Sequence, residues 1–340
     1  MRVVKLLGLL LVVVLVQGCF PNNNDSTKEE LLLQGPTMGT TYNIKFVIEK
    51  GQLDVNQLHH EIDAALVQVN QEMSTYIPDS ELSLFNKSAG DTPVAMSNGL
   101  AKVINESIRL GKLTSGKLDV TVGPLVNLWG FGPLARPDVV PSDEALANAK
   151  ANTGLNHIVI DGNQLSKTLP SLYVDLSTIA KGYGVDVIAE LLESKNIQSY
   201  LVEVGGEMRL KGFKANGTLW TIAVEKPISN ERVIHQFVVP KDNAVATSGD
   251  YRNYFEEDGQ RFSHIIDPQT GKPINHKLVS VTVIHPSAMT ADGLSTAIMV
   301  MGPEVGLAFA EENKLAAMLI VKTDNGFEEI NTVKFMPYLK

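Results

Sequence analysis

Apolar and polar positions change period several times along this chain, and each change marks an element. From Tyr42 to Ile48 apolar residues recur at every second position, as in a strand with one buried face. From Val55 to about Met73 the spacing turns helical. Leu58, Ile62, Ala65, Leu66 and Val69 line one face, and Asp54 stands where an N-cap belongs. Ser74 to Asp79 breaks that helix, and Ser97 caps the next, which carries Leu100, Val103, Ile104, Ile108 and Leu110 and runs out at Ser115-Gly116. A short helix over 141–154, a hairpin around Gly162-Asn163, a strand over 172–175 and a helix from Ser177 or Thr178 to about Lys195 follow. Strands are predicted over 199–204, 219–224, 233–239, 279–285, 315–321 and 327–333, with helices beginning at 290 and 303. This order predicts an α+β fold, with largely antiparallel or mixed sheets packed with helices in a single compact unit. A chain of 340 residues can bury a core of that kind.

The stretch richest in polar and turn-forming residues runs from Thr247 to His276. Phe262, His264 and Ile266 alternate with Ser263 and Ile265, and the turn Asp267-Pro-Gln-Thr-Gly271 follows, so His264 is expected at a strand end beside a tight turn. Upstream, Ser248-Gly249-Asp250-Tyr251-Arg252 reads as a polar loop, with a hairpin turn at Glu257-Asp258-Gly259. Two strands joined by well-made turns would account for the same residues.

Three further stretches carry candidate chemistry. Lys117 to Pro133 is apolar but interrupted by Gly123, Pro124, Gly130 and Gly132. It reads either as a buried irregular loop or as a pocket wall with Asp119 as its polar contact. Lys181 falls in the first turn of its helix, where a cation opposes the helix dipole. An anion such as phosphate would remove that conflict, and an ion pair with Asp175 would do so more simply. Asp292, Ser295 and Thr296 share one helix face and offer hard oxygen donors of the kind Mg²⁺ prefers, although a first-turn Asp and two hydroxyls are also ordinary helix residues. The chain has no Walker loop, G-x-G-x-x-G, HExxH or G-x-S-x-G, so the common nucleotide, zincin and serine-hydrolase readings lose their support.

Composition changes the picture chiefly at the N-terminus. Arg2 and Lys5 precede an apolar run from Leu6 to Val16 that ends in Gln17-Gly18-Cys19, as in an export signal. The run falls short of the roughly 20 apolar residues of a transmembrane helix. Val16-Gln17-Gly18-Cys19 resembles a lipobox, in which Cys19 carries lipid. Residues 1–18 then form the signal peptide, 19–34 a flexible tether and 35–340 the folded domain. Cys19 is the single cysteine, so the domain lacks disulfides, thiolate metal sites and a thiol nucleophile. The formal net charge of -9 does not suit nucleic acid or a direct grip on anionic lipid.

Taken together, MGTTY at 38–42, STYIPDSELSLFN at 74–86, GKLDVTVGPLVNLWGFGP at 116–133, DLSTIAKGYGVD at 175–186, VGGE at 204–207, TSGDYRNYF with SHIIDPQTGKPI, and ADGLSTA at 291–297 closely resemble the ApbE family of FAD:protein FMN transferases. The resemblance implies an ApbE-like, T-fold-like unit that cleaves FAD with Mg²⁺. FMN would pass to a Thr or Ser hydroxyl of an acceptor protein, with release of AMP. Acceptors of the family include subunits of membrane redox pumps of the Na⁺-translocating NADH:quinone reductase and Rnf types. By the same resemblance, Met38, Tyr76, Lys117, Leu118, Asp119, Asp175, Lys181 and the backbone around Ile265 and Ile266 contact FAD. Thr178, Asp292, Ser295 and Thr296 surround the metal, and His264 takes the proton from the acceptor hydroxyl. Many relatives read DLGGIAKG where this chain has Asp175-Leu176-Ser177-Thr178, which leaves open whether Thr178 offers a carbonyl or a hydroxyl. A Mg²⁺-dependent FAD pyrophosphatase and a non-catalytic flavin-binding lipoprotein are the alternatives. The location implied is the periplasmic side of a bacterial membrane, the inner one, through lipid on Cys19. Mass spectrometry of the mature N-terminus is expected to find acylated Cys19, and an unmodified N-terminus beyond it would mean ordinary secretion.

Overall fold

The computed structural model describes residues 27–90, 92–132, 140–227, 233–250, 254–257 and 260–340. The chain opens with a hairpin, β1 (Lys28–Thr37) and β2 (Thr40–Glu49), followed by α1 (Val55–Met73), α2 (Glu81–Lys87), the two-residue β3 (Val94–Ala95) and α3 (Asn98–Leu113). Next come α4 (Gly123–Leu128), α5 (Asp143–Lys150), β4 (Ile158–Asp161), β5 (Gln164–Lys167), α6 (Ala180–Ser194), β6 (Tyr200–Val204) and β7 (Glu207–Lys211). Strands β8 (Ile222–Glu225), β9 (Ile234–Val238) and β10 (Ala244–Gly249) lead to two small hairpins, β11 (Tyr254–Glu257) with β12 (Gln260–Ser263) and β13 (Ile266–Asp267) with β14 (Lys272–Pro273). β15 (Leu278–His285), α7 (Ala288–Met301), α8 (Pro303–Glu312), β16 (Ala316–Thr323) and β17 (Gly326–Asn331) complete it.

An eight-stranded sheet in the order β1-β2-β6-β7-β10-β15-β16-β17 is the frame, and every neighbouring pair in it is antiparallel. Both faces are covered. On one side Val281, Val283, Ala317 and Leu319 pack into a core shared with α1, α3, α6 and α7. On the other, Val245, Ile284, Met318 and Ile320 meet Trp220, Val238 and Phe335. β15 therefore reads as a nearly continuous apolar run, because neither of its faces meets water. A register shift between Leu278 and Ser280 lets Leu278 and Val281 join the same core although they are three residues apart. The α+β expectation holds, with the main sheet wholly antiparallel.

Several expectations needed correction. Residues 28–34, read as tether, form most of β1, paired with β2 from Lys28 to Thr37. Leu33 turns inward while Leu32 stays exposed, an alternation that three consecutive leucines conceal in the sequence. The rest of the tether reading, with Cys19 and the signal segment, lies outside the described residues, as do Tyr251, Arg252 and the turn at Asp258-Gly259. Ser248 and Gly249, read as loop, end β10 and pair with Val281 and Ser280. Residues 172–175 join no strand, and the helix expected from Ser177 begins only at Ala180. In the 117–133 segment Pro124 starts a short helix, where its missing N–H costs nothing.

Helix α7 is buried along its length except at Thr296 and Met301. Its residues are small or apolar apart from Asp292 and a few hydroxyls, and both ends are tied down. At the N-terminus the Asp186 carboxylate of α6 accepts from Ser287 Oγ at 2.7 Å and from the backbone N–H groups of Ala288 and Met289 at 3.0 Å, and it pairs with Arg209 at 3.0 Å. A buried acid that satisfies two orphan helix donors also complements the helix dipole. At the other end His276 Nε2–H donates to Met299 O at 2.9 Å, and burial holds the imidazole below its usual pKa, so it stays neutral. Asp186→Ala is expected to cost about 1–3 kcal/mol for each of the two buried N–H groups it leaves unmatched, Arg209 keeping Glu193 as its partner. Urea denaturation measures it, and a loss under about 1 kcal/mol, as for an exposed pair, would refute the role.

Candidate active site

Helices α6 and α7 cross at Gly182, where an added Cβ would lie 2.3 Å from Ala288 O. The approach lets Asp292 of α7 accept from the Gly182 N–H at 3.0 Å. One residue earlier, Lys181 Nζ pairs with Glu207 at 2.5 Å. The alternative pairing of Lys181 with Asp175 is not formed. Instead Asp175 Oδ1 accepts from the Ser177 N–H at 2.9 Å, making the turn that precedes α6.

Two carboxylates thus share one ammonium in a largely buried place, with Asp292 3% and Glu207 4% exposed. Burial pushes the Asp292 pKa up and nearby Glu207 adds to the rise, while Lys181 and the Gly182 N–H oppose it. Burial alone would lower the Lys181 pKa, but Asp292 and Glu207 outweigh it and keep the amine charged. With all three ionised the group carries one excess negative charge, which favours a bound cation. Three residues before Lys181, Thr178 Oγ1 is buried and has no hydrogen-bond partner among the described residues. A buried hydroxyl left unmatched is costly. Metal coordination would satisfy it.

The remaining expected metal donors form a hydroxyl cluster. Ser295 is wholly buried, and Ser248 Oγ lies 2.8 Å from Ser295 Oγ and 3.1 Å from Thr296 Oγ1. The donor set is one carboxylate with hydroxyl and backbone oxygens, chemistry suited to a hard cation. Among the described residues no group of three or more His, Cys, Asp or Glu is placed to hold a metal.

The residues expected around FAD separate into groups. Tyr76 is 70% exposed on the loop after α1, and partial burial and nearby Asp175 raise its pKa. Tyr173 is raised likewise, by burial first and then by Asp175, so the three residues form one neighbourhood. Met38 sits at φ 50° in the β1–β2 turn and packs against the cores of both α6 and the sheet. Lys117 pairs with Asp267 at 3.2 Å, and Asp119 accepts from Thr121 N and Oγ1 at 2.7 and 2.6 Å. Burial raises the Asp119 pKa against those bonds. The Leu118 side chain belongs to the central core, 2% exposed, and so offers a ligand only its backbone. Ile265 and Ile266 are buried too, in two different clusters.

His264 follows β12, half-buried, with its ring 6.3 Å from that of Phe131 in an edge-on arrangement. Phe131 continues into stacked Phe255, Phe262 and Trp129, and Trp129 Nε1–H donates to Gly271 O at 2.9 Å. The aromatic cluster thereby fixes the hairpin that presents His264. Sequence reasoning assigned no role to Glu207 and none to Ser248 beyond its loop. The signal for Glu207 was Gly205-Gly206 before it; for Ser248 it was the concentration of polar residues.

The ApbE family profile matches residues 38–319, which span every group described above. This chain belongs to the ApbE family. A FAD:protein FMN transferase of Vibrio cholerae is 56% identical over 326 residues, 96% of each chain, and one of Haemophilus influenzae is 52% identical over 303 residues, 87% of each. The solved structure of the flavin transferase ApbE from Vibrio cholerae superposes with a TM-score of 0.86 at 56% identity, covering 92% of this chain and 100% of that one. The apo form of Pseudomonas stutzeri flavinyl transferase ApbE gives 0.85 at 42% identity, covering 92% and 97%. The ApbE architecture thus extends over 92% of this chain.

Proposed function

We propose that this ApbE family member transfers FMN from FAD to a Ser or Thr hydroxyl of an acceptor protein, with Mg²⁺ bound at the Asp292 group and AMP released. The transferase reading is supported by relatives of that name at 52–56% identity over nearly the whole chain. The metal reading is supported chiefly by the unmatched Thr178 hydroxyl close in sequence to a buried group of two carboxyls and one ammonium. Thr178, Asp292, Ser295 and Thr296 would hold the ion. Mg²⁺ would supply charge neutralisation for the phosphate oxygens, which is the main demand of phosphoryl transfer.

The chain's own residues do the rest. Tyr76, Tyr173 and Asp175, which lie near one another, would contact the flavin nucleotide, and so would Met38, which packs beside Gly184 of α6. A Thr or Ser hydroxyl is a poor nucleophile until it loses its proton, and His264 is the group for that step. As the hydroxyl oxygen bonds to the FMN-side phosphorus, its proton passes to an imidazole nitrogen, and the bond to the AMP-side bridging oxygen breaks. Acceptors of the membrane redox-pump class and anchorage through lipid on Cys19 belong to the same proposal.

The full chain incubated with FAD, Mg²⁺ and a candidate acceptor is expected to yield flavin fluorescence that survives denaturing electrophoresis. Free FMN without labelled acceptor would indicate a pyrophosphatase, and no turnover a binding protein. Asp292→Asn keeps an acceptor for the Gly182 N–H but removes the charge, so Mg²⁺-dependent turnover should be lost with the fold intact by circular dichroism. Normal Mg²⁺-dependent rates in that variant would dismiss the metal assignment. His264→Asn should slow transfer by about 10²- to 10⁴-fold, the usual contribution of a general base. FAD affinity, followed by fluorescence quenching, should barely change, and an unchanged rate would remove His264 from the chemistry.

A further inference from the structure

Glu207 has a degree of structural preparation that a simple salt-bridge partner does not need. It follows a two-residue hairpin turn, with Val204 opposite Glu207 and both Gly205 (φ 58°) and Gly206 (φ 103°) in the left-handed region. Such a turn between twisted strands calls for glycine. Gly205 meets a second constraint, because an added Cβ would lie 2.8 Å from Thr40 Cγ2 and 3.2 Å from Lys181 Cδ. The turn therefore lies against the stem of the lysine whose head Glu207 holds at 2.5 Å. The second carboxylate oxygen accepts from the Thr247 N–H at 3.2 Å. Thr247 precedes Ser248, whose hydroxyl bonds Ser295 and Thr296. One buried side chain thus ties α6 to β10 and reaches, through neighbouring residues, both the Asp292 and the hydroxyl sides of the site.

We propose that Glu207 is a positioning residue that keeps Lys181 from occupying Asp292, and so keeps that carboxylate available to a divalent cation. This rests on the metal reading given above. Lys181 stands between two acids, and an ammonium paired directly with Asp292 would compete with the cation for it. Glu207 engages the ammonium and preserves the excess negative charge of the group. Replacing Glu207 by glutamine keeps its shape and its contact with Thr247 but cancels that excess. Lys181 is then drawn to Asp292, the one remaining carboxylate of the group. Loss of a residue that orients a metal ligand typically weakens metal affinity or activity by about 10- to 100-fold.

The test uses the full chain and Mn²⁺ as a paramagnetic probe for a hard-oxygen site, with free Mn²⁺ read by electron paramagnetic resonance in the presence and absence of FAD. Glu207→Gln is expected to raise the Mn²⁺ dissociation constant by about 10- to 100-fold. Glu207→Asp, which keeps the charge one methylene further back, should recover part of that loss. In a Lys181→Met background, with no ammonium to hold, Glu207→Gln should have a much smaller effect. Unchanged affinity in Glu207→Gln, or an equal loss with and without Lys181, would overturn the proposal. If Glu207→Gln does not fold, Glu207→Asp decides, since wild-type affinity there would overturn it. A wild-type chain that holds no Mn²⁺ in either condition would overturn the metal reading and this inference with it, whereas normal wild-type binding with an unaffected Glu207→Gln overturns this inference alone.

Discussion

The contact between α6 and α7 at Gly182 is the constraint on which the rest depends. Any side chain there would drive into the Ala288 carbonyl and push the helices apart. With glycine, α7 comes close enough for Asp292 to reach a backbone N–H from a residue 110 positions away. The same closeness brings Asp186 to the first turn of α7. That carboxylate replaces water at a buried helix end, where unpaired N–H groups would otherwise be costly. Fold and site therefore share one junction.

That junction concentrates charge where the interior is least able to solvate it. Elsewhere the chain meets the same difficulty by neutralising or fully bonding its buried ions. Lys167, 3% exposed, donates hydrogen bonds to Asn86 O and Leu172 O and lies over the Phe85 ring, and burial lowers its pKa. Arg209 is matched by Asp186 and Glu193. The Lys181 group differs in having an unmatched hydroxyl close by in sequence. That unmatched hydroxyl is the feature that supports the proposed metal site.

The antiparallel sheet gathers the remaining parts. β7, β10 and β15 lie side by side, so Glu207 and Ser248 approach the helical layer from adjacent strands. Tyr76, Asp175 and Lys117 come from connections outside this sheet. His264 arrives on a separate hairpin held by aromatic stacking rather than by the sheet. The sheet and its helices thus carry the charges, and a smaller, aromatic-pinned element carries His264. This division would suit the proposed reaction, in which a protein hydroxyl is admitted beside the diphosphate of FAD.

The sequence by itself determined whatever depends on neighbours in the chain. The limits of α1 were legible, because Asp54 caps the helix through the N–H groups of Asn56 and Gln57 and its apolar residues keep one period. So were the β4–β5 hairpin, the strand β15, the place of His264 at a strand end and, through long motifs, the family. The tertiary structure decided what depends on partners far along the chain. β1 was hidden because its alternation means something only against β2, and β10 because its polar end resembles a loop until β15 pairs with it. Lys181 could be assigned to Asp175 from sequence, but local turn geometry directs Asp175 to Ser177 N–H, and the sheet delivers Glu207 instead. The direction of the Leu118 side chain, into the central core, was likewise decided by packing: a motif indicates that a residue matters, and only packing shows which way its side chain turns.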